Sequence, residues 1–221
     1  MAGISLYDYQ KEALAKMHNG CILCGGVGSG KSRTSLAYYY VCNGGKLDTK
    51  KYYHMPHPKD LYIITTARKR DTKEWEDEFC PFLIGTDAYS NKVIIDSWNN
   101  IQKYKDITGA FFIFDEQRVV GYGSWAKTFI KIARANEWIL LSATPGDTWS
   151  DYIPVFIANG FYKNKTEFTK RHCVYSRYAK YPKIDRYIDT GYLNALRRRI
   201  LVTMKFERQT ISHHETLYSS Y

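Results

Sequence analysis

Two groups of residues in this 221-residue chain have types and spacing that could do chemistry. The first is Gly25, Gly26, Val27, Gly28, Ser29, Gly30, Lys31 and Ser32, an unbroken G-x-x-x-x-G-K-[ST] run of the Walker A kind. Glycines let consecutive backbone N–H groups turn inward around a phosphate with no Cβ in the way. A helix starting near Lys31 adds the positive end of its dipole. Lys31 would then reach the β- and γ-phosphates of a nucleotide, and the Ser32 hydroxyl would hold Mg²⁺; Arg33 extends the nucleotide-binding set. The second group is Asp115 and Glu116, directly after the apolar run 110–114. At the carboxyl end of a buried strand, Asp115 can order the magnesium and Glu116 can take a proton from an attacking water. A strand-end acidic pair alone reads equally well as a polar turn. Coupled to the phosphate loop it predicts an ATP site, with Lys31, Asp115 and Glu116 as the catalytic residues.

The elements that must position these residues alternate along the chain. Apolar, β-rich runs occur at 21–24, 61–66, 93–95, 110–114 and 138–142, with helix-like periodicity at 31–42, 69–79, 98–104 and 124–136 between them. Unbroken apolar strands are buried on both faces, so the pattern predicts an α/β fold with a parallel sheet flanked by helices. Residues 43–59, with two glycines, two prolines and four lysines, form the longest predicted loop. After residue 147 the alternation stops: 151–159 and 166–173 look helical, 180–189 irregular, and 192–204 a basic helix or a helix running into a strand.

Composition narrows the class. At 44% apolar, 24% charged and 16% aromatic, the chain is that of a folded protein and not a disordered one. No apolar run is long enough to cross a bilayer, and residues 1–8 lack the basic and apolar regions of a secretory signal. Five cysteines, an odd number, suit a reducing compartment. The expected location is the cytoplasm, with no membrane partner. Cys21 and Cys24 resemble half a zinc knuckle, but no second pair stands at a suitable spacing, and buried strand thiols are the better reading. The net charge of +10 is uneven: residues 1–150 carry 19 basic and 16 acidic side chains, residues 151–221 carry 13 and 6. Such asymmetry favours a polyanion partner, though a basic solvated face would look the same.

The ordered series of motifs across residues 6–147 resembles the first RecA-like lobe of superfamily-2 helicases and translocases, nearest to the Swi/Snf-like and phage-encoded DEAD/DEAH-type members. Leu6, Tyr7, Asp8, Tyr9 and Gln10 look like the adenine-reading motif that precedes the phosphate loop, where the Gln10 amide offers a donor and an acceptor in one plane. Residues 25–32 stand as motif I, 63–68 resemble motif Ia, and 93–98 occupy the place of motif Ib. Asp115, Glu116, Gln117 and Arg118 stand as motif II, and Leu141, Ser142, Ala143, Thr144 and Pro145 resemble motif III. The resemblance implies that Gln117, Arg118, Ser142 and Thr144 couple the ATP site to a nucleic-acid face. It also implies that Thr65, Thr66, Arg68 and Ser97 contact a nucleic-acid backbone; from the charge of the tail, Arg197, Arg198 and Arg199 are a further expected phosphate-binding set. Gln117 and Arg118 depart from the family, which usually has a small residue and then His or Asp there. Thr65, Thr66 and Arg68 could instead end a strand and cap the next helix. Trp98 and the tyrosines 38–40 read better as packing than as stacking platforms.

The domain reading is a RecA-like ATP-binding lobe over residues 1–150 and a basic, mostly helical extension over 151–221, leading towards a second lobe that would supply arginine fingers in cis or in trans. The expected activity is that of a DNA-dependent ATPase, a helicase or double-strand translocase, slow in this lobe alone; RNA stays open as the nucleic acid. Two other classes remain: a P-loop nucleotide or polynucleotide kinase, which would lack the Ser-Ala-Thr motif, and a non-enzymatic single lobe that binds DNA or a partner motor.

Overall fold

The computed structural model describes residues 3–115, 123–178 and 181–206. In chain order its elements are α1 (Asp8–Leu14), β1 (Ile22–Cys24), α2 (Lys31–Cys42), β2 (Leu61–Thr65), α3 (Ala67–Asp71), β3 (Val93–Ser97), β4 (Phe111–Asp115), α4 (Ser124–Ala135), β5 (Glu137–Ser142), α5 (Trp149–Ala158), α6 (Lys165–His172), β6 (Cys173–Tyr175), β7 (Ile184–Tyr187), α7 (Thr190–Ile200) and β8 (Leu201–Thr203). Six strands form one sheet in the order β3-β2-β4-β5-β1-β8, every neighbouring pair parallel. The α/β architecture expected from the alternating runs is the one observed.

The strands lie in the middle because both of their faces are apolar. Leu61 and Ile63 of β2, with Phe111 and Ile113 of β4, pack against Leu36, Tyr39 and Tyr40 of α2. Tyr62, Ile64, Phe112 and Phe114 point the other way, towards Phe129 of α4, Phe156 of α5 and Leu196 of α7. This is period-two alternation with an apolar layer on each side, the condition for a covered parallel sheet. Tyr39, Tyr40 and Trp98 are all core residues, as the packing reading held. Cys21 is also buried, and burial pushes its thiol up to about 11.

Three stretches differ from the sequence expectation. The helix expected over 69–79 ends at Asp71. Lys73 then adopts a left-handed backbone (φ 57°), and the chain continues in short 3-10 turns at Glu76–Glu78 and Cys80–Phe82. The irregular stretch 180–189 contributes β7, which pairs antiparallel with β6 in a hairpin of its own. Strands of three and four residues are too short to show a period. The extension expected beyond residue 150 includes the sixth strand of the sheet: α5 and α7 pack into the α4-side core, and β8 pairs in register with β1 (Ile22 with Leu201, Cys24 with Thr203).

Candidate nucleotide site

The phosphate loop leaves the carboxyl end of β1 and closes into α2. Gly28 and Gly30 hold left-handed backbone angles (φ 81° and 73°) that a side chain would resist. A Cβ on Gly30 would lie 2.5 Å from the Gln10 amide, so the loop and α1 approach each other through a missing side chain. A Cβ on Gly26 or Gly28 would meet nothing within 4 Å, so this face of the loop is open. The Ser29 hydroxyl donates to the Gly26 carbonyl (2.8 Å) and holds the loop's curve. Lys31 is buried and donates to the carbonyls of Gly25 (2.7 Å) and Gly26 (3.0 Å), which holds its ammonium against the loop backbone. Burial raises the thiol pKa of neighbouring Cys24, and the Lys31 charge opposes that shift.

Beside the loop, a cavity of about 510 Å³ is lined by Leu6, Tyr7, Gln10, Gly28, Gly30 and Arg33, among others. Gln10 is 3% exposed and its Oε1 accepts from the Tyr7 backbone N–H (3.1 Å). One of its two carbonyl lone pairs is therefore committed to capping α1. Arg33 reaches Glu78 (3.2 Å).

Asp115 ends β4 with its side chain 1% exposed. Three donors converge on Oδ2: the Thr65 hydroxyl (2.8 Å), the Lys69 ammonium (3.1 Å) and the Trp75 indole N–H (3.2 Å). Its backbone carbonyl accepts from the Trp98 indole (3.0 Å). A carboxylate this deeply buried is stable only when paired and hydrogen-bonded. Sequence reasoning missed Lys69 and Trp75, which both donate to Asp115. The one available signal was an aromatic at 75 among Glu74, Glu76, Asp77 and Glu78, which an outward-facing helix would not carry. The early end of α3 and the left-handed Lys73 are what turn Trp75 inward.

Ser142 and Thr144 follow β5. The Ser142 carbonyl accepts from the Gly25 backbone N–H (3.3 Å), and its hydroxyl accepts from the Thr144 N–H (3.1 Å). β5 is thus bonded directly to the first residue of the phosphate loop. Glu116, Gln117 and Arg118 lie outside the described residues. The Ser32 hydroxyl and the Asp115 carboxylate are hard oxygen donors of the kind Mg²⁺ takes. Among the described residues no cluster of three His, Cys, Asp or Glu offers a different metal site.

The residues expected to touch nucleic acid separate. Thr65 and Ser97 are buried (0% and 2% exposed), so neither can meet a phosphate. Thr65 serves Asp115 instead, and the Ser97 backbone N–H donates to Asp96. The Thr66 hydroxyl caps α3 by accepting from the Lys69 N–H (3.3 Å), the capping alternative for this segment. Arg68 is exposed in the first turn of α3. Arg197, Arg198 and Arg199 do not form one patch, because successive helical residues fan out by about 100°. The Arg197 guanidinium lies over the Trp149 ring (5.1 Å), Arg199 lies near Phe161 (5.0 Å), and Arg198 is exposed.

Neither a family model nor a curated protein matches the sequence. Among solved structures, the chain is similar to the Sulfolobus solfataricus SWI2/SNF2 ATPase core in complex with dsDNA, with a TM-score of 0.68 and 14% identity over 91% of this chain. It is also similar to the SWI2/SNF2 ATPase core domain of the same organism, with a TM-score of 0.63 and 13% identity over 91% of this chain. The chain spans 45% and 44% of the length of those two structures. At these identities the likeness is one of fold, a RecA-like parallel sheet flanked by helices.

Proposed function

We propose that the chain is the nucleotide-binding lobe of a DNA-dependent ATPase, a motor of the helicase or double-strand translocase kind. One observation carries this reading. The phosphate loop, Asp115 and the Ser142–Thr144 segment leave the carboxyl ends of three adjacent strands, β1, β4 and β5 in the sheet order β4-β5-β1, and the first and last of these segments share a backbone hydrogen bond. An open α/β sheet binds its ligand at that edge, and a nucleotide bound there would sit against groups already joined to the outward-facing loop after β5.

In this reading the backbone N–H groups of the loop and the Lys31 ammonium hold the β- and γ-phosphates, while Gln10 and the cavity beside it hold the base. Ser32 and Asp115 would hold Mg²⁺, which when bound offsets the negative charge of the phosphate oxygens. Thr65, Lys69 and Trp75 hold Asp115 in place through its Oδ2. Glu116, next in sequence, accepts the proton of the attacking water, whose oxygen bonds to the γ-phosphorus as the bond to the β-phosphate oxygen breaks. An arginine from a second lobe is the proposed source of the remaining charge stabilisation, a contribution of about 10³–10⁵ in rate in P-loop enzymes.

The test is equilibrium binding of a fluorescent ATP analogue together with steady-state hydrolysis, with and without duplex DNA. Wild type binds nucleotide and turns it over slowly, and Lys31→Ala abolishes binding. Adding a second lobe in cis or in trans raises turnover by orders of magnitude, and Glu116→Gln removes that gain. Unchanged nucleotide affinity in Lys31→Ala would overturn the assignment.

A further inference from the structure

The β6–β7 hairpin carries nothing that the ATP site uses, yet its composition is unlike the rest of the surface. Its inner face is accounted for. Tyr175, Pro182 and Ile184 line a small cavity of about 260 Å³ with Ser150 and Ile153 of α5 and Thr169 of α6. The Tyr187 hydroxyl meets the Ser150 hydroxyl at 2.6 Å, in the first turn of α5. Because α5 begins directly after the Ser142–Thr144 loop, the hairpin is fixed to the carboxyl edge of the main sheet. Its far end is different. Tyr178 is 98% exposed and Tyr181 is 74% exposed, the two most exposed aromatic rings among the described residues. Beside them Arg177 and Lys183 are exposed, and so is Arg186, which lies further along β7 opposite Val174; Asp185 is the one exposed acid between residues 173 and 187 of the described chain.

Two rings left in water have a cost that packing does not offset, and their backbones are held. The Tyr178 N–H donates to the Ser176 hydroxyl (3.3 Å), and Tyr181 precedes Pro182, which restricts it to extended conformations. A tyrosine has only two side-chain torsions to order, so such a ring makes contact at low entropic cost. Exposed rings among cations fit a polyanion that also offers flat π-faces. A duplex offers its phosphates but keeps its bases stacked inside, whereas a single strand offers both.

We infer that this hairpin is a stacking site for single-stranded nucleic acid, with Tyr178 and Tyr181 against successive bases and Arg177, Lys183 and Arg186 on the backbone. The site depends on the nucleic-acid part of the proposed function and is independent of nucleotide hydrolysis. The two rings account for preference between strands with and without bases, and the three cations for salt dependence.

The experiment is fluorescence anisotropy of the 221-residue chain with three labelled probes at several salt concentrations: an oligo-dT of about 20 nucleotides, an abasic phosphodiester of equal length, and a duplex. Wild type should bind oligo-dT at least about tenfold more tightly than the abasic strand, given the usual strength of base–aromatic stacking. The Tyr178→Ser, Tyr181→Ser double variant should bind the two strands alike while keeping the wild-type salt slope. Both rings stand in solvent, so its melting midpoint should match wild type. Arg177→Ser, Lys183→Ser, Arg186→Ser should weaken both strands and flatten the slope of log K against log salt by up to about 2, at about 0.7 per phosphate on a single strand. A wild type that binds oligo-dT and the abasic strand equally, or a double variant that keeps the preference, overturns the inference, and a protein partner would then be the occupant of the hairpin. An oligo of uridylate in place of thymidylate separates RNA from DNA within the same chemistry. If duplex and ATP binding persist when the base preference is absent, the hairpin reading alone falls and the ATPase-lobe reading stands.

Discussion

Thr65→Val separates two roles for one hydroxyl. In the resemblance-based reading Thr65 touches a DNA phosphate; in the structure it is buried and donates to Asp115 Oδ2 at 2.8 Å. Valine keeps the shape and β-branching, so the perturbation is the loss of one hydrogen bond to a buried carboxylate. Hydrogen bonds to charged groups contribute about 1.5–3 kcal/mol, and the extra buried methyl returns somewhat less than about 1. The net loss is about 1–2 kcal/mol, since Lys69 and Trp75 still hold the same oxygen. For a chain of this size each kcal/mol lowers the melting midpoint by about 2–4 °C, so differential scanning calorimetry should show a fall of about 2–8 °C. DNA affinity and its salt slope should not change, while Mg²⁺-dependent nucleotide affinity should fall as Asp115 loses a constraint. A melting midpoint equal to wild type, with DNA affinity reduced tenfold, would show that the hydroxyl serves a phosphate and that the burial argument is wrong.

Other outcomes follow from the same geometry. Burial alone would raise the Asp96 carboxyl, but hydrogen bonds from Asn100, Tyr104, the Ser97 N–H and Arg70 outweigh it and lower the pKa to about 2. Its contribution of about 2 kcal/mol is therefore fully present above the ordinary carboxylate range and lost as the pH falls from about 4 to about 2. Chemical denaturation across that range should show wild type losing its advantage over Asp96→Asn, and a gap that stays constant with pH would refute it. Arg197→Ala should lower stability by about 1 kcal/mol through loss of its stacking on Trp149 and leave the DNA salt slope unchanged, whereas Arg198→Ala should leave melting unchanged. Gln10→Ala should bring GTP affinity closer to that of ATP and also lower the melting midpoint, because Gln10 Oε1 caps α1. Loss of adenine preference without loss of stability would mean the amide is free of the cap in solution.

Much of the sheet was legible because its strands carry their address in composition. Ile63 and Ile64, or Phe112 and Ile113, leave no polar face, so only a strand covered on both sides can hold them. The loop of residues 25–32 was legible for a related reason, since glycine spacing there is demanded by backbone angles and not by partners. What stayed hidden depends on long-range company. Nothing around Lys69 or Trp75 announces Asp115, which lies 46 and 40 residues away. A hydroxyl at a strand end such as Thr65 suits a phosphate and a buried carboxylate equally in sequence, and its burial beside Asp115 is a property of the fold. Arg197, Arg198 and Arg199 look like one patch in sequence and face three directions on a helix. The β6–β7 hairpin escaped because its strands of three and four residues fall below the length at which alternation can be counted.

The junction between α7 and β8 gives the lobe a mechanical property. No residue separates Ile200 of the helix from Leu201 of the strand. β8 lies parallel to β1, and the Met204 N–H continues the ladder to the Cys24 carbonyl at 2.8 Å, one residue before the phosphate loop. A displacement of β8 along its own axis would load its bonds to β1 together, in shear, instead of peeling them apart one by one. The bonds in that ladder end at the loop that holds Lys31, so a shift of β8 and the shape of that loop are carried by the same two strands.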